Sequence, residues 1–151
     1  MTNKRILILL PLVFLAFGCN RTTEVPGLPS GTVTVSGQTL NVQIAESQEA
    51  RQHGLSGTTS LAENDGMIFI FPSPNIYGFW MKDMNFPLDF IWIANGQVME
   101  ITSDVQTQPG VPDSQLQNYY PHEPIDSMIE VNAGWAKKNL LDVGDSAVLK
   151  R

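Results

Sequence analysis

Apolar and polar positions alternate along two stretches near residue 32, and this pattern predicts a β-hairpin. Residues 32–35 and 40–44 each place apolar side chains at every second position, with Ser36-Gly37-Gln38 between them. Such alternation is typical of strands with one buried face, and a short polar segment with glycine is typical of the turn that joins them. We therefore expect a hairpin with one side against the core.

Continuous apolar runs further along the chain predict buried strands. Each run is too short for a helix, and they cover residues 67–71, 77–81 and 90–93. Asn95-Gly96 follows the last run and favours a type I′ turn, because both central positions of that turn have positive φ. Residues 98–102 are then the expected returning strand.

Two short helices complete the predicted elements. Ser47 can cap a helix that Gly54 ends. A second helix is expected at residues 133–140, between strands at 128–131 and 146–149. About seven short strands with two short helices indicate a mainly-β fold, either a single compact β-sandwich or a partly open barrel.

The beginning of the chain predicts export. Lys4 and Arg5 precede an apolar run of about 12 residues, which is shorter than the roughly 20 that a membrane-spanning helix needs and is typical of a signal peptide. The run ends at Gly18-Cys19, which resembles the lipobox of bacterial lipoproteins, and Cys19 is the only cysteine. We expect a signal peptide over residues 1–18 and a lipid on Cys19. A soluble export product cut nearby and an uncleaved anchor are the alternatives.

A proline- and glycine-containing segment separates this beginning from the folded part. Residues 19–31 have almost no apolar periodicity and are expected to form a tether. The folded domain is then residues 32–151. The lipid on Cys19 would be its connection to the membrane.

The charge balance excludes some partners. The chain has 9 Lys and Arg residues against 15 Asp and Glu residues, a formal net charge of −6. Nucleic-acid binding needs clustered basic side chains, so no nucleic-acid partner is expected. An acidic surface is also repelled by anionic lipid headgroups, so the anchor rather than the domain would contact the membrane.

Four ordered blocks of sequence resemble one known family. They are residues 49–55, residues 66–71, residues 79–84 with 87–89, and residues 130–134 with 144–145. From about Val33 to the end, the chain resembles the conserved, uncharacterised family called domain of unknown function 192. The resemblance implies a compact mainly-β domain that is often exported or lipid-anchored. It implies no activity.

The segment Phe79-Trp80-Met81-Lys82 is the first candidate for ligand contact. On an extended strand Trp80 and Lys82 point one way and Phe79 and Met81 the other. If Phe79 and Met81 face the core, the other pair forms an aromatic platform beside a cation, which suits a sugar ring or an anionic group. The alternative is that Trp80 belongs to the core and Lys82 extends to solvent.

Two carboxylates sit in apolar surroundings. Asp89 precedes an apolar strand, so it is either exposed at the rim of the sheet or buried with a partner. The candidate partners are Arg51, Lys82 and Glu130. Carboxylates about 5–10 Å apart support glycoside hydrolysis. A buried ion pair that only stabilises the fold is the alternative, for Asp89 and for Glu130 alike.

No pattern indicates a metal, a cofactor or a known catalytic centre. The two histidines, His53 and His122, lack metal-ligand spacing, and neither a nucleophile elbow nor a phosphate-binding loop is present. The leading hypothesis is a non-enzymatic, lipid-anchored domain of the bacterial cell envelope, periplasmic or on the outer surface, that binds an envelope carbohydrate or a protein partner.

The expected binding face combines an aromatic side chain with charges. Its members are Trp80, Lys82, Asp83 and Asp89, supported by Arg51 and Glu130, with the loop around Tyr119 as its rim. One alternative is a hydrolase of envelope carbohydrate that uses Asp89 with Glu130 or Asp83. The other is a purely structural envelope component.

Overall fold

The computed structural model describes residue 25 and residues 27–151. The predicted signal peptide, Cys19 and most of the predicted tether lie outside these residues. The described strands, in chain order, are β1 (Ser30–Val35), β2 (Gln38–Ala45), β3 (Asp65–Asn75), β4 (Phe79–Trp80), β5 (Leu88–Ala94), β6 (Gln97–Val105), β7 (Asn118–Tyr119), β8 (Ile125–Asn132) and β9 (Ala147–Lys150). The described helices are α1 (Gln48–His53), α2 (Trp135–Lys138) and a short 3-10 helix (Asp113–Gln115).

Seven of these strands form one curled sheet. Its order is β6-β5-β8-β3-β2-β1-β9, and every neighbouring pair is antiparallel except β2 with β3. Hydrogen bonds show that the two edges of the sheet approach each other. The Val98 N–H donates to the Asp145 carbonyl at 2.9 Å, and the Ala147 N–H donates to the Gly96 carbonyl at 2.8 Å. The mainly-β prediction is confirmed, and the partly open barrel is the form adopted.

Local signals in the sequence predicted the turns and α1. Asn95 and Gly96 have φ of 53° and 72°, as a type I′ turn requires. Ser47 caps α1, since its Oγ accepts a hydrogen bond from the Ala50 N–H at 3.1 Å. Gly54 ends the helix with φ of 54° and donates its N–H to the Ala50 carbonyl at 2.9 Å.

The later part of the chain departs from the prediction in two places. Helix α2 is shorter than residues 133–140, because Gly134 and Leu140 have φ of 83° and 53° and an α-helix cannot include left-handed residues. Residues 104–127 show no clear apolar period and their four prolines predict a long loop, but they contain the end of β6, the 3-10 helix, the two-residue strand β7 and the first residues of β8. A strand of two residues is too short to show alternation in the sequence.

The sheet carries apolar side chains on both faces. One face includes Ile91 and Ile129 and is covered by Trp135 of α2. The other includes Phe90 and Met128. Strands buried on both faces have continuous apolar sequences, and this explains the uninterrupted runs in β3 and β5.

Asp89 joins β5 to two neighbouring segments. Its side chain is 0% exposed. Its Oδ1 accepts hydrogen bonds from the Asp104 N–H at 2.9 Å and the Gly134 N–H at 3.1 Å, and its Oδ2 accepts one from the Ala136 N–H at 3.0 Å. The sequence suggested Arg51, Lys82 or Glu130 as partners, and that expectation is wrong. Three main-chain amides compensate the buried carboxylate instead.

We expect Asp89→Asn to lower the free energy of unfolding by about 1.5–3 kcal/mol, the value of hydrogen bonds to a charged group. The amide nitrogen of asparagine cannot accept a hydrogen bond, so at least one of the three N–H groups loses its acceptor. Urea denaturation followed by circular dichroism measures the change. Asp142→Asn, at an exposed position, is the matched control. Equal stability of the two variants would contradict this role for Asp89.

Candidate functional site

A cleft of about 220 Å³ opens beside α1. One wall is α1 with the turn that follows it, and the opposite wall is the segment around β4, residues 77–84. The floor includes Phe69 of β3, Phe79 of β4 and Glu130 of β8. The cleft is mostly aromatic and apolar, with a few polar groups, which is the usual character of a small-molecule site.

Glu130 is the buried acid of this cleft. Its register partners are Met67 on β3 and Phe90 on β5, so apolar side chains lie on both sides of it. It is 5% exposed, and its Oε2 has no hydrogen-bond partner in the described part of the chain. Burial raises the pKa of the carboxyl group to about 8. At neutral pH the acid is therefore mainly protonated and able to donate a hydrogen bond.

An arginine and two stacked aromatic rings form one side of the cleft. Arg51 of α1 donates from Nη1 to the main-chain carbonyls of Glu46 and, at 3.0 Å, of Ile70. Its Cζ lies 5.5 Å from the centroid of the Phe71 ring. That ring stacks on Tyr77, with the centroids 3.6 Å apart and the planes at 9°. These contacts hold the guanidinium group against the aromatic wall.

Trp80 and Lys82 form the opposite side. Trp80 is 42% exposed, whereas Phe79 and Met81 are buried, so the strand orientation follows the predicted alternation and Trp80 lies outside the core. The Lys82 Nζ is 5.9 Å from the Trp80 ring centroid and forms an ion pair with Asp113. The hydrogen bond to Asp113 raises the pKa of the Lys82 ammonium group.

The loop around Tyr119 is clamped to β4 and is not a rim of the cleft. Tyr119 pairs with Phe79 in the two-stranded sheet of β4 and β7, and its ring centroid is 5.8 Å from that of Phe90. Tyr120 lies against Gly78, where a Cβ atom would come within 2.6 Å of the tyrosine ring. Glycine at position 78 is therefore what permits this close contact.

The structure brings four of the six predicted ligand-contacting residues together. Asp83 does not face the cleft; it is exposed, and its carbonyl accepts a hydrogen bond from the Gly57 N–H at 2.9 Å. Asp89 also lies outside the cleft. The four that line the cleft are Arg51, Trp80, Lys82 and Glu130.

Asp89 and Glu130 lie on opposite faces of the sheet. Asp89 is in register with Val131, and Phe90 is in register with Glu130. Successive side chains on a strand point to opposite faces, so Asp89 shares a face with Val131 and Glu130 shares the other with Phe90. The two carboxylates therefore do not form the pair that the hydrolase alternative needs.

Sequence reasoning missed the aromatic part of the cleft. Phe69 and Phe71 belong to an apolar run that predicts a buried strand, and periodicity does not distinguish a core phenylalanine from one that lines a cleft. Gly54 is the residue in the sequence that could have indicated the cleft. Its α1-ending conformation lets the chain pass directly over Phe69, since a Cβ there would be 3.3 Å from that ring.

The family model for domain of unknown function 192, described as an uncharacterised ACR, matches residues 31–149. The chain belongs to this family. No curated protein matches it. The family assignment supports the mainly-β fold and, as the sequence resemblance implied, brings no established activity.

Two solved bacterial structures are similar to this member of the family. A candidate transcription regulator from Sinorhizobium meliloti 1021 is 26% identical with a TM-score of 0.72, covering 81% of this chain and 95% of its own. A protein of unknown function from Novosphingobium aromaticivorans DSM 12444 is 26% identical with a TM-score of 0.75, covering 85% of this chain and 91% of its own.

Two further observations concern metals and membranes. Within residue 25 and residues 27–151, no group of three or more His, Cys, Asp or Glu side chains is placed to hold a metal ion. In those same residues, no helix has the length and apolar character to cross a membrane.

We expect Glu130→Gln to make the protein more stable at pH 8 and to leave it nearly unchanged near pH 4.5. The folded-state pKa of Glu130 is raised from 4.5 to about 8. Between these values the unfolded chain releases a proton that the folded protein keeps, so the free energy of unfolding falls as pH rises and levels off above 8. Glutamine removes that loss of unfolding free energy, which is on the order of 4 kcal/mol at pH 8.

Urea denaturation at several pH values measures this difference. Glu123→Gln, at an exposed position, is the control and should retain the pH dependence of the unmodified chain. A Glu130→Gln variant that is less stable at pH 8 would show instead that the carboxyl group stabilises the fold, as the purely structural alternative requires.

Proposed function

We propose that this chain is a lipid-anchored, non-enzymatic domain of the bacterial cell envelope that binds a small amphipathic ligand in the cleft between α1 and β4. The observation that carries the proposal is the Glu130 carboxyl group, which is buried among aromatic side chains and whose Oε2 has no hydrogen-bond partner within residue 25 and residues 27–151. A buried polar atom without a partner costs about 1–3 kcal/mol, and a bound ligand would supply the missing hydrogen bond.

The composition of the cleft supports binding over hydrolysis. Among the described residues that line it, Glu130 is the only carboxylate. Glycoside hydrolysis in its usual form uses a second carboxylate on the other side of the bond that is cleaved. A single acid among aromatic rings and two cations is suited to orienting a ligand.

The anchor part of the proposal comes from the sequence before the described domain. Residues 1–18 are proposed as the signal peptide and Cys19 as the lipidated residue. Val25 is held on β2, because its N–H donates to Gln43 Oε1 at 2.9 Å and its carbonyl accepts from Gln43 Nε2 at 2.8 Å. At 3.3–3.6 Å per residue the chain from Cys19 to Val25 reaches at most roughly 20 Å. A lipid on Cys19 would therefore keep the domain close to the membrane surface.

Replacing Trp80 tests the cleft. We expect single-ring aromatic acids, amides or amines that bind the protein to shift the NMR signals of Gly54, Leu55 and Gly78. We expect Trp80→Ala to weaken that binding about three- to tenfold, which corresponds to the 0.5–1.5 kcal/mol of an aromatic pair. Ile76→Ala removes a similarly exposed apolar side chain outside the cleft and should have no effect. Shifts confined to other surfaces would contradict the proposal.

Replacing Cys19 tests the anchor. We expect the unmodified chain, expressed in a bacterial host that processes lipoproteins, to sediment with membranes and to carry acyl chains by mass spectrometry. Cys19→Ser removes the acceptor thiol, so the protein should move to the soluble fraction without acyl mass. Thr22→Ala, a neighbouring change, is the control. Continued membrane association of Cys19→Ser would argue against a lipid anchor.

A further inference from the structure

We infer that the ligand of the cleft is an apolar anion that enters with an uncharged hydrogen-bond acceptor first and keeps its negative charge at the mouth. This inference rests on the proposed binding function and names the chemical class of ligand. Glu130, which is 5% exposed, forms the inner end of the cleft, and the more exposed side chains of Arg51 and Lys82 form its mouth.

The inner end favours an uncharged acceptor such as a carbonyl oxygen. Met67 and Phe90 flank Glu130 on the neighbouring strands and offer no charge. The titratable groups that line the cleft from the other elements are Arg51 and His53 on the α1 side, with Tyr77 before β4 and Lys82 after it. A carboxylate at the inner end would meet an acid without a counter-cation, whereas a carbonyl oxygen needs only the proton that buried Glu130 keeps at neutral pH.

A ligand that places an ammonium group at the inner end of the cleft is disfavoured by the path into the cleft. It would pass between two cationic side chains, Arg51 and Lys82, and lose its hydration on an apolar floor. It would also require Glu130 to ionise in surroundings that favour the neutral acid. The two cationic side chains, the loss of hydration and the ionisation of Glu130 each oppose the binding of a cation.

The mouth favours a negative charge, and Arg51 is its main contributor. The hydrogen bonds from Arg51 Nη1 go to the carbonyls of Glu46 and Ile70, which leave the positive charge unneutralised. The charge of Lys82 is partly compensated by Asp113. Since Phe71 lies under the guanidinium group, an anion bound there also contacts an aromatic surface.

The volume of the cleft limits the size of the ligand. A cavity of about 150 Å³ is enough for benzene. The cleft measures about 220 Å³, which has room for one aromatic ring with two small substituents. A ring with an acceptor at one end and an anionic group at the other has the required shape.

Matched probes test the inference on the full chain purified in detergent, by NMR titration at pH 6. The probes are 4-acetamidobenzoate, which has both features, 4-isopropylbenzoate, which lacks the acceptor, and 4-acetamidobenzylamine, which reverses the charge. We expect 4-acetamidobenzoate to bind about tenfold more tightly than either of the others. We expect its affinity to fall above about pH 8, when Glu130 ionises.

Three variants test which residue is responsible for the acceptor preference and which for the anion preference. Glu130→Leu removes the proton donor, so the two benzoates should bind with nearly equal affinity. Arg51→Gln should bring the benzoate and the benzylamine to nearly equal affinity. If the loss of the Arg51 contacts prevents folding, Lys82→Gln should reduce the same preference by a smaller factor. Lys137→Gln, which removes an exposed cation outside the cleft, is the control and should leave the affinity for 4-acetamidobenzoate unchanged.

The outcomes separate this inference from the proposed function. Binding of the benzylamine in the cleft with equal or higher affinity overturns the anion preference while the cleft remains a ligand site. Equal affinity of the two benzoates for the unmodified chain overturns the acceptor preference in the same way. If no probe, whether anionic or cationic, shifts the signals of the cleft residues, the inference and the proposed function both fail.

Discussion

The register of β8 between β3 and β5 sets which side chains lie on each face of the sheet. Both faces of this central strand are buried. Met128 and Glu130 lie on one face, against one apolar cluster, while Ile129 and Val131 belong to the cluster on the other face. A shift of one residue would exchange the two faces and place a carboxyl group in the cluster under α2. The packing of the sheet and the acid of the cleft are thus set by the same pairing.

Two buried acids in this sheet have opposite energetic roles. Asp89 is near the start of β5, where the first turn of α2 and the end of β6 present free N–H groups, and it accepts three hydrogen bonds from them. Glu130 is in the middle of β8, where the neighbouring main-chain groups are already paired within the sheet. The first acid stabilises the fold, whereas the second lowers stability at neutral pH. A destabilising acid at the base of an aromatic cleft is typical of a functional site.

The cleft depends on short-range features of the chain that meet at one place. Gly54 ends α1 above Phe69, and the stacked rings of Phe71 and Tyr77 hold Arg51 at the side. Membership of an uncharacterised family brings no activity with it, so the function must be argued from these contacts. They describe a site for a small ligand with an aromatic body and charge at its outer end.

Features that depend on neighbouring residues could be predicted from the sequence. The cap at Ser47, the turn at Asn95-Gly96 and the mainly-β class all follow from residues a few positions apart, and the structure confirms them. The tertiary structure alone decided the partners of the buried acids. Asp89 meets an N–H group 47 positions away along the chain, whereas Glu130 Oε2 has no hydrogen-bond partner among the described residues. Strand pairing decides which face and which neighbours a carboxyl group has, and no local pattern encodes that pairing.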